Sequence, residues 1–306
     1  MLAGGVGAAR FLRGLSSLLD PRCLTIIVNT GDDETFFGLH VSPDIDTVIY
    51  TLAGVINPAP GWGVRNDRFS CLGTLSRFYD ETWFQLGDKD LATHIFRTDA
   101  LRRGETLTAV TGAIAKAYGV RATVLPMTDV PVRTVVEVAG RGPLPFQRYL
   151  VHGKGHGHVT RIRLDGVRNA RPAPGTLAAL RRSTFIIIPP SNPLVSIGPI
   201  LALRGMRQAL RAAHAPVAAV SPIIAGAPVK GPLHHMLKGL GYEVSPVGVA
   251  QLYRGLADIF VLDRRDAALA SRIAELGMRP VVTETLMTST VRSRHLAATV
   301  LAELRQ

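Results

Sequence analysis

Gly4-Gly5-Val6-Gly7-Ala8-Ala9-Arg10, running on through Phe11 to Leu19, is the stretch that decides the architecture. Glycines at three of four positions let the backbone turn tightly and approach a ligand closely. Leu12, Leu15, Leu18 and Leu19 then fall on one face at helical spacing. The stretch predicts a short strand, a turn over Gly4–Gly7 and an amphipathic helix from Ala8 to Leu19. Only Met1, Leu2 and Ala3 precede Gly4, against ~5 residues in a usual strand, so the first strand is expected to be short, its start clipped. A helix entered through glycines offers free N–H groups and the positive end of its dipole, a combination that suits phosphate. The plain alternative is a tight structural turn. The stretch is a defective dinucleotide fingerprint, because a GxGxxG begun at Gly5 needs glycine where Arg10 stands. It also lacks the Gly-Lys-Ser/Thr of a P-loop.

Outward from there, Leu24-Thr-Ile-Ile-Val28 reads as a β-branched strand ending on Asn29-Thr30-Gly31-Asp32-Asp33. Polar residues at the carboxyl end of a buried strand are where open α/β sheets place ligands. Helices are expected over Asp46–Gly54 and Asp90–Arg103, the latter closed by Gly104. Between Pro126 and Arg171 the texture changes to short alternating runs, Val132–Val138, Phe146–Val151 and Val159–Leu164, separated by Gly/Pro turns. Parallel signals then return: helices near Gly175–Arg182, Arg204–Ala213, Ala267–Leu276 and Ser293–Leu304, and strands at Phe185–Ile188, Val217–Val220, Asp258–Asp263 and Pro280–Thr285. The order predicts an α/β chain, a three-layer, Rossmann-like, mostly parallel sheet over 1–125 and 172–306. A smaller, largely antiparallel, β-rich insertion fills 126–171.

Composition bounds the function. With 306 residues, 47% hydrophobic and 19% charged, the chain can bury a large core and is not a disordered segment. Mean hydropathy is +0.21, yet no run approaches the ~18 apolar residues of a membrane helix, and no signal peptide opens the chain. A cytoplasmic protein without a membrane partner is expected. Cys23 and Cys71 lack CxxC spacing and are expected as buried, reduced thiols. The net charge is +12. Of 35 basic residues only Lys89, Lys116, Lys154, Lys230 and Lys238 are lysines, and the arginines are scattered. With 6% aromatics there is no stacking platform for nucleic acid, and a small phosphorylated ligand accounts for the charge equally well.

Four constellations carry chemistry. The first is the glycine stretch. The second is acidic: Asp32 and Asp33, then Ser42-Pro43-Asp44-Ile45-Asp46. Carboxylates beside a phosphate loop suit Mg²⁺, which takes one or two of them plus phosphate oxygens and water; taken singly, each also reads as an Asx turn or helix cap. The third, Leu86-Gly87-Asp88-Lys89-Asp90-Leu91-Ala92-Thr93-His94, brings a lysine, two carboxylates and a histidine to a helix start. The fourth, Pro190-Ser191-Asn192-Pro193-Leu194-Val195-Ser196-Ile197-Gly198-Pro199, is a rigid loop whose hydroxyls, amide and N–H groups can read a nucleotide. His152, His156 and His158 lie in a glycine-rich turn with no carboxylate or cysteine partner, so a solvated turn is expected there. No GxSxG is present to support a serine nucleophile.

Together these motifs resemble the 2-phospho-L-lactate transferase family of coenzyme F420 biosynthesis (CofD/FbiA). The carriers are GGVGAARFLRGL (4–15), VNTGDD (28–33), HVSPDIDTVIYTLAG (40–54), WGVRND (62–67), LGDKDLATHIFRT (86–98) and LPMTD (125–129). Beyond them come FQRYLV (146–151), PPSNPLVSIGPIL (189–201), SPIIAGAPVKGP (221–232) and TLMTS (285–289). The resemblance implies transfer of a phospho-three-carbon-acid group (phospholactyl, phosphoenolpyruvyl or phosphoglyceryl) from a guanosine-diphospho-linked donor. The acceptor is the ribityl hydroxyl of the deazaflavin Fo, and GMP is released. It implies Mg²⁺ on Asp32 and Asp33, which also form the catalytic edge, and Fo on Asp46 and Lys89. The nucleotide and its phosphates fall to Gly4, Gly5, Gly7, Ser191, Asn192, Ser196 and Gly198, and a homodimer is suggested. Ala8-Ala9 departs from the Gly-Ala or Thr-Pro often found there. The alternative is a non-enzymatic nucleotide-sugar-binding regulator of the related gluconeogenesis-factor type, with a similar glycine loop and strand end. A nicotinamide-dependent dehydrogenase is disfavoured by Arg10.

Overall fold

The computed structural model describes residues 1–306. The opening stretch forms β1 (Leu2–Ala3) and α1 (Gly5–Leu15). The helix starts earlier than expected, with Gly4 as its extended N-cap and Gly5 at φ +70°, a conformation side chains resist. It also stops earlier, because Ser16 and Ser17 return their hydroxyls to the carbonyls of Arg13 and Gly14. Next come β2 (Thr25–Val28), the hairpin of β3 (Glu34–Phe36) and β4 (Leu39–Val41), and α2 (Pro43–Leu52). Pro43 opens α2, so Asp44 and Asp46 lie inside its first turn rather than ahead of it. Then follow α3 (Ser70–Leu75), α4 (Asp88–Arg102), α5 (Leu107–Ala117) and β5 (Thr123–Pro126).

The insertion contains β6 (Arg133–Val138), β7 (Gly142–Pro145) and β8 (Val159–Asp165), antiparallel in the order β7-β6-β8. The expected strand over Phe146–Val151 is not formed. Arg148–His152 make a π-helical turn with Tyr149 buried and its hydroxyl donating to Gly155 O at 2.7 Å. Phe146, Tyr149 and Leu150 also recur at helical spacing, and six residues are too few to separate the two periods.

The second half runs α6 (Thr176–Arg182), β9 (Ile186–Ile188), α7 (Gly198–Ala202), α8 (Met206–Arg211) and β10 (Val217–Val220). A two-stranded hairpin of β11 (Ile223–Ile224) and β12 (Ala227–Pro228) leads to α9 (Leu233–Gly239) and α10 (Pro246–Leu252). The chain ends through β13 (Ile259–Asp263), α11 (Ala270–Ala274), β14 (Arg279–Thr283) and α12 (Thr290–Leu304). The single helix expected over 267–276 is split into a 3-10 turn, Arg264–Leu269, and α11.

All pairing in the central strands is parallel, β1-β2-β5 on one side and β9-β10-β13-β14 on the other, with β1 lying against β9. Alternation sorts the side chains into two cores. Ala3, Val28, Ile187, Ala218 and Val261 face a core with Phe11 and Leu12 of α1, Val48 of α2, Val110 of α5 and Leu296 of α12. Their neighbours Leu2, Ile27, Ile188, Ala219 and Phe260 face another with Leu180 of α6, Leu210 of α8 and Val249 of α10. These are the three layers of a Rossmann-like fold. The chain leaves β1 toward β2 and β5, crosses back to β9, and proceeds outward the other way. The β1/β9 seam is therefore a topological switch point, where such sheets bind ligands beyond the carboxyl ends of their strands.

One further expectation changes. Cys23 and Cys71 are free but exposed rather than buried. Each sits on a short element that buries little: the Pro21–Cys23 turn buries none of its residues, and α3 buries only Leu72. No helix is long and apolar enough to cross a membrane.

Candidate active site

A cavity of ≈ 410 Å³ opens at the β1/β9 switch point, lined by the loops that leave β1, β2, β9 and β10 and by the first turns of α2 and α4. Phe146, Gln147, Leu150 and Val151 of the insertion close one wall, and Gln147 donates to Asp32 O at 3.5 Å. Trp62, Gly63 and Phe84 close another.

The glycines are fitted to their neighbours. A side chain at Gly4 would run into Ser196 and Asp44, and one at Gly7 into the carbonyl of Pro190. Loop 189–198 therefore packs directly on the start of α1. Asn192 stiffens that loop by accepting from the N–H groups of Leu194 and Val195, at 2.9 and 3.3 Å. Ser191 Oγ is buried without a hydrogen-bond partner. Gly4, Gly5, Gly7, Ser191, Asn192 and Ser196 all line the cavity, while Gly198 starts α7 behind it and is not among the lining residues.

Asp32 and Asp44 meet at the acidic edge. Asp44 accepts from Gly5 N at 2.7 Å and from Asn29 Nδ2 at 2.9 Å, so one carboxylate ties the phosphate-type loop to the end of β2. Burial pushes Asp44 up to about 6, against those two donors. Asp32 is pushed well above the carboxylate range by burial first and then by the charge of Asp44, and its Oδ1 is buried with no partner. Two crowded, buried carboxylates with an orphaned oxygen fit a divalent cation, which favours their ionised forms. Asp33 is not among the lining residues. Its Oδ2 accepts from Ser42 Oγ at 2.7 Å and lies 3.1 Å from His40 Nε2, which offsets the rise that burial imposes on it.

The floor is a second charged cluster. Asp46 is gripped by the guanidinium of Arg97, which is fully buried: Nη1 donates to Oδ2 at 3.1 Å and Nη2 donates to Oδ1. Arg97 Nη1 also lies 3.3 Å from His94 Nδ1, and His94 Nε2 lies 3.4 Å from Asp90 Oδ1. Tyr50 donates its hydroxyl to Asp90 Oδ1 at 2.7 Å. Burial raises Asp90, but the hydrogen bonds and charges of His94, Tyr50 and Arg97 outweigh it and hold the carboxyl below its ordinary range. Asp46, Asp90 and His94 place ligand atoms within 4.8 Å of one another, a spacing that could hold a metal ion. Arg97 already neutralises Asp46, however, so a cation fits the Asp32 edge with less displacement.

Lys89 is not among the lining residues. Its ammonium donates to the carbonyls of Arg65 and Asn66, at 3.4 and 3.1 Å. Asp67 in turn accepts from the backbone N–H groups of Lys89 and Asp90 at the start of α4. Sequence reasoning assigned no role to Asp67, Arg97 or Tyr50. A buried Asp46 needs a counter-charge, and Arg97, one turn beyond His94 on α4, supplies it from another helix, a pairing that nothing local in the sequence marks.

The switch-point sheet, the glycine-started helix and the carboxylate edge together make the candidate site of a Rossmann-like α/β protein. Over residues 1–301 the chain matches the family model described as 2-phospho-L-lactate transferase CofD. It belongs to that family. It is 40% identical over 300 residues to the 2-phospho-L-lactate transferase of Methanosarcina mazei, covering 98% of each chain. It is 42% identical over 293 residues to the phosphoenolpyruvate transferase of Streptomyces griseus, covering 94% of this chain and 92% of that one. Among solved structures, a member of the UPF0052 family from Bacillus halodurans superposes with a TM-score of 0.62 at 15% identity, over 98% of this chain and 97% of that one. That likeness speaks to the fold alone.

Proposed function

We propose that this enzyme moves a phospho-three-carbon-acid group from a guanosine-diphospho-linked donor to the terminal ribityl hydroxyl of Fo, releasing GMP, in coenzyme F420 biosynthesis. The observation that carries the reading is the junction of Gly5 N–H, Asp44, Asn29 and Asp32 at the switch point, where a glycine-started helix meets a carboxylate edge with one unpartnered oxygen. Nearly full-length similarity to named transferases supports catalysis over passive binding.

In this reading the acceptor oxygen bonds to the phosphorus that bears the acid, and the bond from that phosphorus to the bridging oxygen breaks, leaving GMP. The hydroxyl proton passes to a cavity carboxylate or to solvent. Phosphoryl transfer of this kind depends on in-line positioning and on donors for the charged oxygens. Gly4 and Gly7 present backbone N–H groups to the diphosphate, while Gly5, whose own N–H is held by Asp44, gives the turn into α1 that the cradle needs. Ser191, Asn192 and Ser196 shape the guanosine side, and Gly198 backs that loop from the start of α7. Mg²⁺ held by Asp32, with Asp44 and Asp33 near it, would supply charge neutralisation across the diphosphate. Asp46, both oxygens fixed by Arg97, orients Fo as a hydrogen-bond acceptor. Lys89 supports Fo through the 65–67 loop it holds. Residues 1–125 with 172–306 act as the catalytic unit, in a cytoplasmic homodimer, and 126–171 as the insertion that walls it.

Incubation with Fo, a GDP-linked three-carbon acid and Mg²⁺ tests the reading by following GMP release. GMP formed only when Fo is present supports it. Tight nucleotide-sugar binding with no GMP would favour the regulator alternative.

A further inference from the structure

The cavity also holds two cations that the fold leaves without a counter-ion. Arg10 projects from α1 just beyond Gly7, and Lys230 lies in the turn after β12; both line the cavity. No ion pair of the molecule involves either residue. Lys230 donates to Pro60 O at 2.7 Å, pinning the loop that carries Trp62 and Gly63. An ammonium has three donors, so two remain. The Lys230 ammonium is held below the ordinary lysine range by the protein packed around it and by the charge of Arg10. Two like charges lining one cavity, neither in an ion pair, raise the energy of the empty cavity and lower it when an anion enters. Arg10 also occupies the position where a dinucleotide fingerprint would need glycine. In place of close backbone approach at that point, the helix offers a guanidinium with a fork of donors suited to phosphate.

We propose that Arg10 and Lys230 form a cationic clamp for the diphosphate of the donor. The clamp rests on the transferase reading for the identity of that donor. When the bond to the bridging oxygen breaks, its electron pair stays on the departing GMP phosphate. The clamp holds that charge, and it makes loop 221–232 part of donor recognition.

Calorimetric titration of the full chain in Mg²⁺ tests this, using GDP, guanosine and inorganic pyrophosphate against wild type, Arg10→Ala and Lys230→Ala. Each substitution is expected to weaken GDP by about tenfold or more, the scale of one charge-assisted contact, and to leave guanosine unaffected. Arg10→Lys and Lys230→Arg, which keep the charge, should recover most of the loss and control for misfolding. Variants that bind GDP as tightly as wild type, or that lose guanosine in parallel, overturn the clamp. Wild type that binds neither GDP nor pyrophosphate overturns it too. Pyrophosphate binding that needs Arg10 and Lys230, with GDP no tighter than pyrophosphate, upholds the clamp while removing the guanosine donor.

Discussion

Asp32 is the residue on which the account turns, and its environment makes a signed pH prediction. Its folded pKa is raised by burial and by Asp44, so the metal-free fold is best tolerated below the unfolded carboxylate pKa, near 4. Stability is then lost as pH rises toward the folded value. Without Mg²⁺, the advantage of Asp32→Asn over wild type in melting temperature should grow between pH 5 and pH 8. An effect of about 1 kcal/mol moves the midpoint by roughly 2 °C in a chain of this size. Adding Mg²⁺ should raise the wild-type midpoint and not the variant's, and Mg²⁺-dependent turnover should fall by about 10²-fold or more. Near-normal turnover would remove the metal assignment. Arg97 makes a second prediction at this scale. Arg97→Leu strands Asp46 and Asp90 in a buried floor, at a cost of about 3–5 kcal/mol, readable by denaturant unfolding. Asp32 and Asp46 were legible in the sequence because strand ends and helix starts are marked locally. Arg97 was not, because its partner Asp46 lies on another helix and their pairing is a tertiary fact.

Among elements, the start of α1 has no slack. Gly7 sits against the carbonyl of Pro190, so Gly7→Ala should push α1 and loop 189–198 apart. The expected cost is about 1–3 kcal/mol, with a larger loss in affinity for GDP than for Fo. Equal loss of both ligands would mean the contact supports the fold generally. The hydrophobic periods of the parallel strands announced themselves, since Ile26–Val28, Ile186–Ile188 and Val217–Val220 are buried on both faces. Helix α1 was displaced toward its glycines because leucine spacing alone marks a face, whereas Gly4, Ser16 and Ser17 set the ends. The run from Phe146 to Val151 departs from its strand expectation for the converse reason. Strand propensity favoured β, but packing Tyr149 into the small core with Val136 and Val159 required a helical turn. Lys89→Ala, which frees the 65–67 loop, should weaken Fo binding more than kcat; an unchanged affinity for Fo rejects that role.

For the whole molecule, the +12 charge of the sequence takes on a direction. Exposed arginines such as Arg22, Arg103, Arg163 and Arg272 are paired with surface carboxylates, whereas Arg10 and Lys230 stand unpaired at the cavity. Steering of an anionic donor predicts that kcat/KM for the donor falls about threefold as ionic strength rises from ~50 to ~200 mM, with little change for Fo. The most direct test of the central claim is mass spectrometry of the deazaflavin after incubation with Mg²⁺ and competing lactyl, enolpyruvyl and glyceryl GDP-linked donors. A phosphodiester of Fo carrying one of the three acids is expected, formed with equimolar GMP by wild type and absent with Asp32→Asn or excess chelator. Unmodified Fo in every arm, with the donor bound but intact, would contradict it.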